Sequence, residues 1–274
     1  MGDFRQHCEA YGLLIRELIA DGRPHAVPTA DHPRKKNGRY LLDSRSGWCQ
    51  NWATMTEVAV WKPDGIPQLA KLRDYRPSGE AIREERARHA AAAAEALLLM
   101  ERAEIGPHPY LEAKGFPNEQ GFVADDLLVV PMRDFLTYKI TSAQTIDPGG
   151  KKMFLAGGRA KGAVFRLGAW KHATEIWFAE GLATAYSVRA ALADLRRRSV
   201  CVVVCFSAGN LQHVASAIGR GFVVADNDAS GAGCKAAEAT GLPWCMPPDV
   251  GLDLNYYHQK HGLRAAVKVL LEVD

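Results

Sequence analysis

The last hundred residues, 175–274, alternate between short apolar runs and helix-like stretches, and no other feature restricts the fold as strongly. Strands are predicted at Ile176 to Ala179, Val200 to Phe206 and Phe222 to Ala225. Helices are predicted at Leu182 to Leu195, Asn210 to Ile218 and Gly231 to Thr240. A short strand near Trp244-Cys245 and a last helix, Leu263 to Leu271, complete the series. Short apolar strands alternating with helices imply βαβ units and a parallel sheet.

Two of these strands run straight into acidic residues. One reads Trp177-Phe178-Ala179-Glu180-Gly181, the other Val223-Val224-Ala225-Asp226-Asn227-Asp228-Ala229-Ser230-Gly231. Ligands of open α/β sheets bind outside the carboxyl ends of the strands, where both acidic groups fall. In an extended segment Asp226 and Asp228 point the same way. Three carboxylates gathered at one spot repel unless a cation lies between them, and hard oxygen ligands suit Mg²⁺ or Mn²⁺. Gly181 and Gly231 leave room for a phosphate or a tight turn. The plainer alternative is that Glu180 caps a helix and the Asp pair solvates a turn.

The upstream sequence divides into three parts. Residues 1–75 are expected to open with a helix over 3–20, where Leu13, Leu14, Leu18 and Ile19 form an apolar stripe ending at Gly22 and Pro24. A small β-rich module follows, with strands around Tyr40–Leu42, Trp48–Trp52 and Val58–Trp61. It carries the basic run Arg34-Lys35-Lys36 and three tryptophans, Trp48, Trp52 and Trp61. Tryptophans beside basic residues can stack unpaired bases, or they can be the core of a small β domain. Residues 76–107 are a helical connector, an Ala-rich helix over 78–104 with Ser78 as its cap and its apolar C-terminal half packed.

Residues 108–173 are expected to form a basic α+β subdomain. A short helix (Tyr110 to Lys114) closes at Gly115, and strands follow at Leu127 to Pro131, Leu136 to Thr141, Lys152 to Leu155 and Val164 to Leu167. Within 131–172 eight Lys and Arg face only two acids, Asp134 and Asp147. A basic surface beside a metal site can hold phosphates and a single-stranded backbone.

At this point the sequence resembles a family. Glu180-Gly181, Phe206-Ser207-Ala208-Gly209-Asn210-Leu211 and Asp226 through Gly231 are similar to the Toprim domain of DNA primases, particularly those of phages and conjugative or integrative elements. The likeness covers 174–274. Val130 through Asp134, Gln144 through Asp147, Lys151 through Phe154, Gly157-Gly158, Lys161-Gly162 and Tyr110 through Phe116 resemble the subdomain that precedes Toprim in primase cores. The resemblance implies Glu180, Asp226 and Asp228 as catalytic, metal-binding carboxylates. Gly251 through His258 resembles a late acidic motif and adds Asp253 as a further metal ligand or a helix cap; Tyr256 stands where relatives often carry an Asp. Nucleic-acid or nucleotide contact is expected from Arg133, Lys139, Lys151, Lys152, Lys161 and Asn210. The front module resembles one found in mobile-element primases, but His25, His32 and Cys49 lack zinc-ribbon spacing, so zinc is not expected.

These expectations add up to a DNA primase making short primers on single-stranded DNA from nucleoside triphosphates, with Mg²⁺ or Mn²⁺ and a replicative helicase as a candidate partner. A Toprim nuclease, or a non-catalytic single-strand-binding module, would share the same motifs. Other chemistries lack their signatures: there is no P-loop, nucleophile elbow or dinucleotide fingerprint. Six cysteines without a C-x-x-C pair, no signal-like start and no apolar run of about 20 residues suit a reducing, cytoplasmic setting away from membranes. A net charge of +3 does not by itself point to nucleic acid.

Overall fold

Alternate residues of the strand Glu175–Ala179 enter two different cores. Trp177 and Ala179 pack with Val202, Val204 and Val224 in one cluster, while Ile176 and Phe178 pack with Val203 and Val223 in another. A strand buried on both faces has no polar side to offer, which explains its unbroken apolar sequence.

The computed structural model describes residues 4–43, 46–63, 68–70 and 79–273. The chain divides into two compact units, Met1–Ala87 and Arg88–Asp274.

In the first unit a five-stranded antiparallel sheet runs in sequence order: β1 (His25–Val27), β2 (Gly38–Leu42), β3 (Gly47–Asn51), β4 (Val58–Trp61) and β5 (Gln68–Ala70). One face packs Phe4, Cys8, Leu13, Ile15, Tyr40 and Cys49; the other gathers Leu41, Trp48 and Val58. The helix expected over 3–20 is much shorter, α1 (Phe4–Ala10). Beyond it Leu13 and Ile15 are buried while Leu14 and Arg16 are exposed, and Leu13 bridges Thr29. The apolar stripe therefore serves an extended segment with a period of two.

The Ala-rich helix is present as α2 (Gly79–Arg102), and its expected cap Ser78 lies outside the described residues. Only part of its apolar end is packed. Ala96, Leu99 and Met100 join a cluster with Ala124, Val129 and Ala143, while Leu97 and Leu98 are exposed. The helix stops before 104, because Glu104–Gly106 is a strand, β6.

The second unit is a mixed α/β structure on a ten-stranded sheet. After α3 (Pro109–Ala113) come β7 (Gly121–Ala124), β8 (Leu127–Asp134), β9 (Ile140–Ile146), β10 (Lys152–Phe154) and β11 (Ala163–Leu167). Residues 136–139, expected within a strand, form the turn between β8 and β9. The remaining elements are β12 (Glu175–Ala179), α4 (Leu182–Asp194), β13 (Val200–Val204), α5 (Ala208–Ile218), β14 (Phe222–Val224), α6 (Ala232–Glu238), β15 (Trp244–Cys245), α7 (Leu254–His261) and α8 (Leu263–Leu271). The main path through the sheet is β10-β9-β8-β11-β13-β12-β14-β15, with β6 and β7 pairing beside β8. The four strands β12 to β15 are parallel, and β11 joins them antiparallel through β13. The basic region and the C-terminal region thus share one unbroken sheet. Among the described residues no helix is long and apolar enough to cross a membrane.

Candidate metal centre at the sheet switch point

The strand order 13-12-14 places a topological switch at β12. The chain leaves β12 for a neighbour on one side, β13, and then crosses to the other side as β14. The crevice at the carboxyl ends of such strands is where open α/β sheets bind ligands. Glu180 follows β12 and Asp226 lies two residues beyond the end of β14.

A third segment is tied to this edge. The Asn227 N–H donates to the Leu252 carbonyl at 3.0 Å, the Gly251 N–H donates back to the Asn227 carbonyl at 2.6 Å, and the Asn227 side-chain amide donates to the Pro247 carbonyl at 2.9 Å. These bonds bring the 249–253 loop, and Asp253 with it, to the acidic edge. Asp253 also caps α7, accepting the Tyr256 N–H at 2.7 Å. Asp253 thus takes the cap role, and its charge contributes to raising the Asp226 carboxyl.

The carboxylates disturb one another. Burial, then the charges of Glu180, Asp253 and Asp228, push the Asp226 carboxyl up to about 7, with Lys152 opposing. Glu180 is pushed up by burial and by Asp228, again against Lys152. Asp228 behaves oppositely: the Ser230 hydroxyl, the Gly233 N–H and the Ser230 N–H donate to it and hold it down at about 2. One fully charged group therefore sits beside two that resist ionisation, an arrangement that a cation would relieve.

Metal chemistry fits these residues with a qualification. Among the described residues no three Asp, Glu, His or Cys side chains are placed to hold a metal ion. Asp226 Oδ1 is nevertheless a buried oxygen with no hydrogen-bond partner among the described residues. Mg²⁺ does not need an all-protein cage, since it keeps several waters and is held by one or two carboxylates plus substrate phosphates.

Glycines shape the edge in different ways. At Gly181 the nearest group to an added Cβ would be the Lys152 ammonium, 4.0 Å away, so the space there is open. Gly231 adopts a left-handed φ of 68° at the start of α6. Gly233, which the sequence reading did not single out, is tighter: a Cβ there would stand 2.2 Å from the Asp226 carbonyl oxygen. Gly233→Ala is expected to destabilise the second unit by about 1–3 kcal/mol, lowering its melting temperature by several degrees. An unchanged melting curve would show that the α6 start can move away from Asp226.

The expected basic residues do not gather in one place. Lys152 is at the acids. Lys151 lies next to it, exposed, its N–H donated to Asp147. Arg133 and Lys139 flank the opposite end of the β8–β9 hairpin, and Arg133 donates to the Tyr138 carbonyl at 3.2 Å. Lys161 is exposed and lines an open recess with Gly209, Gln212, His213 and Ser216 of α5. Asn210 does not suit the nucleotide contact expected of it. Its buried side chain accepts from the Gly162 N–H at 2.7 Å and donates to the carbonyls of Ala163 (2.8 Å) and Cys205 (2.7 Å), so it ties α5 to β11.

Tyr110 and Lys114 belong to the stretch whose resemblance implied a phosphate-gripping surface, but they were not among the individual contact residues expected from the sequence. The Tyr110 ring has Lys152 Nζ at 5.6 Å and Lys114 Nζ at 5.9 Å from its centroid. Its hydroxyl is buried without a hydrogen-bond partner among the described residues, and burial with the Asp253 charge keeps it protonated. The conspicuous signal was Tyr110-Leu111 followed by Lys114-Gly115, already noted as a motif. In the first unit His25 pairs with Asp21 and His32 with Asp31, while Cys49 is buried in the core. All six cysteines are free thiols.

No protein-family profile matches the chain, and no curated protein matches it. Among solved structures, a DNA primase domain from Pseudomonas aeruginosa is similar at 16% identity with a TM-score of 0.36. The match covers 55% of this chain and 53% of that one, so the chain spans about half the length of its structural neighbour.

Proposed function

We propose that the second unit is a Toprim-type nucleotidyltransferase that builds short primers on single-stranded DNA from nucleoside triphosphates. The observation that carries this reading is the placing of Glu180 and Asp226 at the carboxyl ends of β12 and β14, both raised by burial and by neighbouring acids with Lys152 as the opposing charge, and Asp226 Oδ1 buried with no hydrogen-bond partner among the described residues. The motif resemblance of 174–274 to Toprim supports the same reading.

One or two of the carboxylates, Asp226 and Asp228 first among them, would hold Mg²⁺ or Mn²⁺ together with substrate phosphates and water. A divalent ion there supplies charge stabilisation for attacking and leaving oxygens in phosphoryl chemistry. The residues of the chain supply the rest. The loop bonds from Ser230 and Gly233 keep Asp228 ionised, and the Asn227–Leu252 bridge ties the loop before Asp253 to the same segment. Glu180, at the end of β12 beside the other acids, would be suited to receive a proton from an attacking hydroxyl, its raised metal-free carboxyl being brought to the ionised form by a cation nearby. Lys152 and Lys114 beside Tyr110 offer positive charge to a triphosphate.

The test is incubation of the protein with unlabelled single-stranded DNA, labelled nucleotides and Mg²⁺, with products resolved on a denaturing gel. Short labelled chains are expected. With a labelled template instead, shortening of that template and no incorporation would support hydrolysis by the same carboxylates and overturn the synthetic reading. Lys152→Ala is expected to raise KM for the nucleotide roughly tenfold, the scale of one lost charge-assisted contact, with partial recovery in Lys152→Arg. An unchanged KM would remove Lys152 from the nucleotide site.

A further inference from the structure

The three tryptophans of the first unit have different fates. Trp48 is 4% exposed and packs with Leu41 and Val58. Trp61 leans on the other core, its ring 5.4 Å from Phe4. Trp52 is 60% exposed. It follows β3, and its N–H donates to the Asn37 carbonyl at 3.0 Å, which fixes it beside the segment leading into β2.

That segment is basic. Arg34, Lys35, Lys36 and Arg39 are all exposed, and among the described residues none of the four is ion-paired. Arg39 stands opposite Gln50 in the β2–β3 ladder and places its guanidinium 5.2 Å from the Trp52 ring centroid. The nearby acid, Asp31, is already engaged: it accepts from Asn51 Nδ2 at 2.9 Å and pairs with His32 at 2.8 Å. The result is a large aromatic surface left in water, with a guanidinium against it and three exposed cations in the adjoining turn that have no ion pair among the described residues.

We propose that Trp52, Arg39 and the Arg34-Lys35-Lys36 turn form a stacking platform for single-stranded nucleic acid, separate from the acidic centre. An unpaired base offers a π-face to the indole, and its phosphates are complementary to the cations. Every base has such a face, so the platform is sequence-tolerant. Duplex DNA hides its bases in the stack and is discriminated against. The proposal stands on the first unit and does not depend on the nucleotidyltransferase reading of the second.

The experiment uses the full chain and a fluorescent oligo(dT), with affinity read by anisotropy over a range of salt. Trp52→Ala is expected to weaken binding roughly tenfold, the scale of one lost base–aromatic stack, while Trp52→Phe keeps most of it. A bromodeoxyuridine-substituted oligonucleotide is expected to crosslink to Trp52 of the wild-type chain on irradiation, a readout that needs no variant to fold. An Asp226→Asn/Asp228→Asn chain should still crosslink at Trp52, which separates failure of this proposal from failure of the catalytic one. Unaltered affinity of Trp52→Ala, crosslinks confined to residues 88–274, or equal affinity for duplex would each overturn the platform.

Discussion

Asp226→Asn/Asp228→Asn is expected to lose Mg²⁺-dependent nucleotide incorporation by roughly a thousandfold or more. A metal-borne stabilisation of several kcal/mol corresponds to about that factor. Asparagine keeps the shape of each side chain and removes the two charges that a divalent cation would need. The loop bonds that hold Asp228, from Ser230 and Gly233, would be weakened, so circular dichroism and melting must accompany the assay. Chelation of the wild-type protein should reproduce the loss reversibly. Incorporation surviving in the double variant would remove these residues from the chemistry, whatever the metal requirement of the wild type.

The second large effect concerns stability rather than rate. The Asp226 carboxyl titrates near 7 in the folded protein and near 3.8 when exposed. Between those pH values the folded state holds a proton that the unfolded chain has released. Metal-free stability therefore falls as pH rises from about 4 to about 7, and levels off above. Asp226→Asn does not titrate and escapes this cost. In chelator it is expected to match the wild type near pH 3.5 and to exceed it at pH 8 by up to about 4 kcal/mol, the full equivalent of the shift. Added Mg²⁺ should narrow the gap by stabilising the wild type alone. Thermal melting of both chains across this range decides it: a wild type at least as stable as the variant at pH 8 in chelator would mean that Asp226 is not strained by its neighbours.

The acidic edge was legible because two short-range patterns coincide there. Strands buried on both faces must be apolar throughout, so Trp177–Ala179 and Val223–Ala225 announce themselves, and an acid directly after such a run cannot belong to the core. The extended stretch at Leu13 and Ile15 was misread because Leu13, Leu14, Leu18 and Ile19, four apolar residues spread over seven positions, satisfy a helical stripe about as well as a strand, and the bridge to Thr29 that decides the matter is a tertiary contact. Of helix α7, Leu254–His261, only the candidate cap Asp253 was legible, because its sequence has almost no apolar stripe; it is held by Asn255, which donates to Lys114 O and Ser187 Oγ far away in the chain. The short strands β6 and β7 lacked enough residues to show any period.

Side-chain roles were less legible than elements. Asn210 follows a serine cap in a motif-like run, yet its partners are carbonyls and an amide of other segments, which no local pattern reports. The basic residues of 131–172 form one cluster in sequence, but an antiparallel hairpin sends Arg133 and Lys139 to one end and Lys151 and Lys152 to the other. Gly233 is constrained by the backbone of Asp226, a close approach that exists only after α6 has packed.

The most direct test of the central claim is whether the switch-point carboxylates hold a divalent cation. Titration of the chain with Mn²⁺, followed by the loss of the free-ion electron paramagnetic resonance signal, reads this without reference to any activity. Saturable binding that Mg²⁺ displaces and that Asp226→Asn/Asp228→Asn abolishes is the predicted result. Binding that is undiminished in the double variant, or absent from the wild type at millimolar Mn²⁺ with nucleoside triphosphate and single-stranded DNA present, would contradict it.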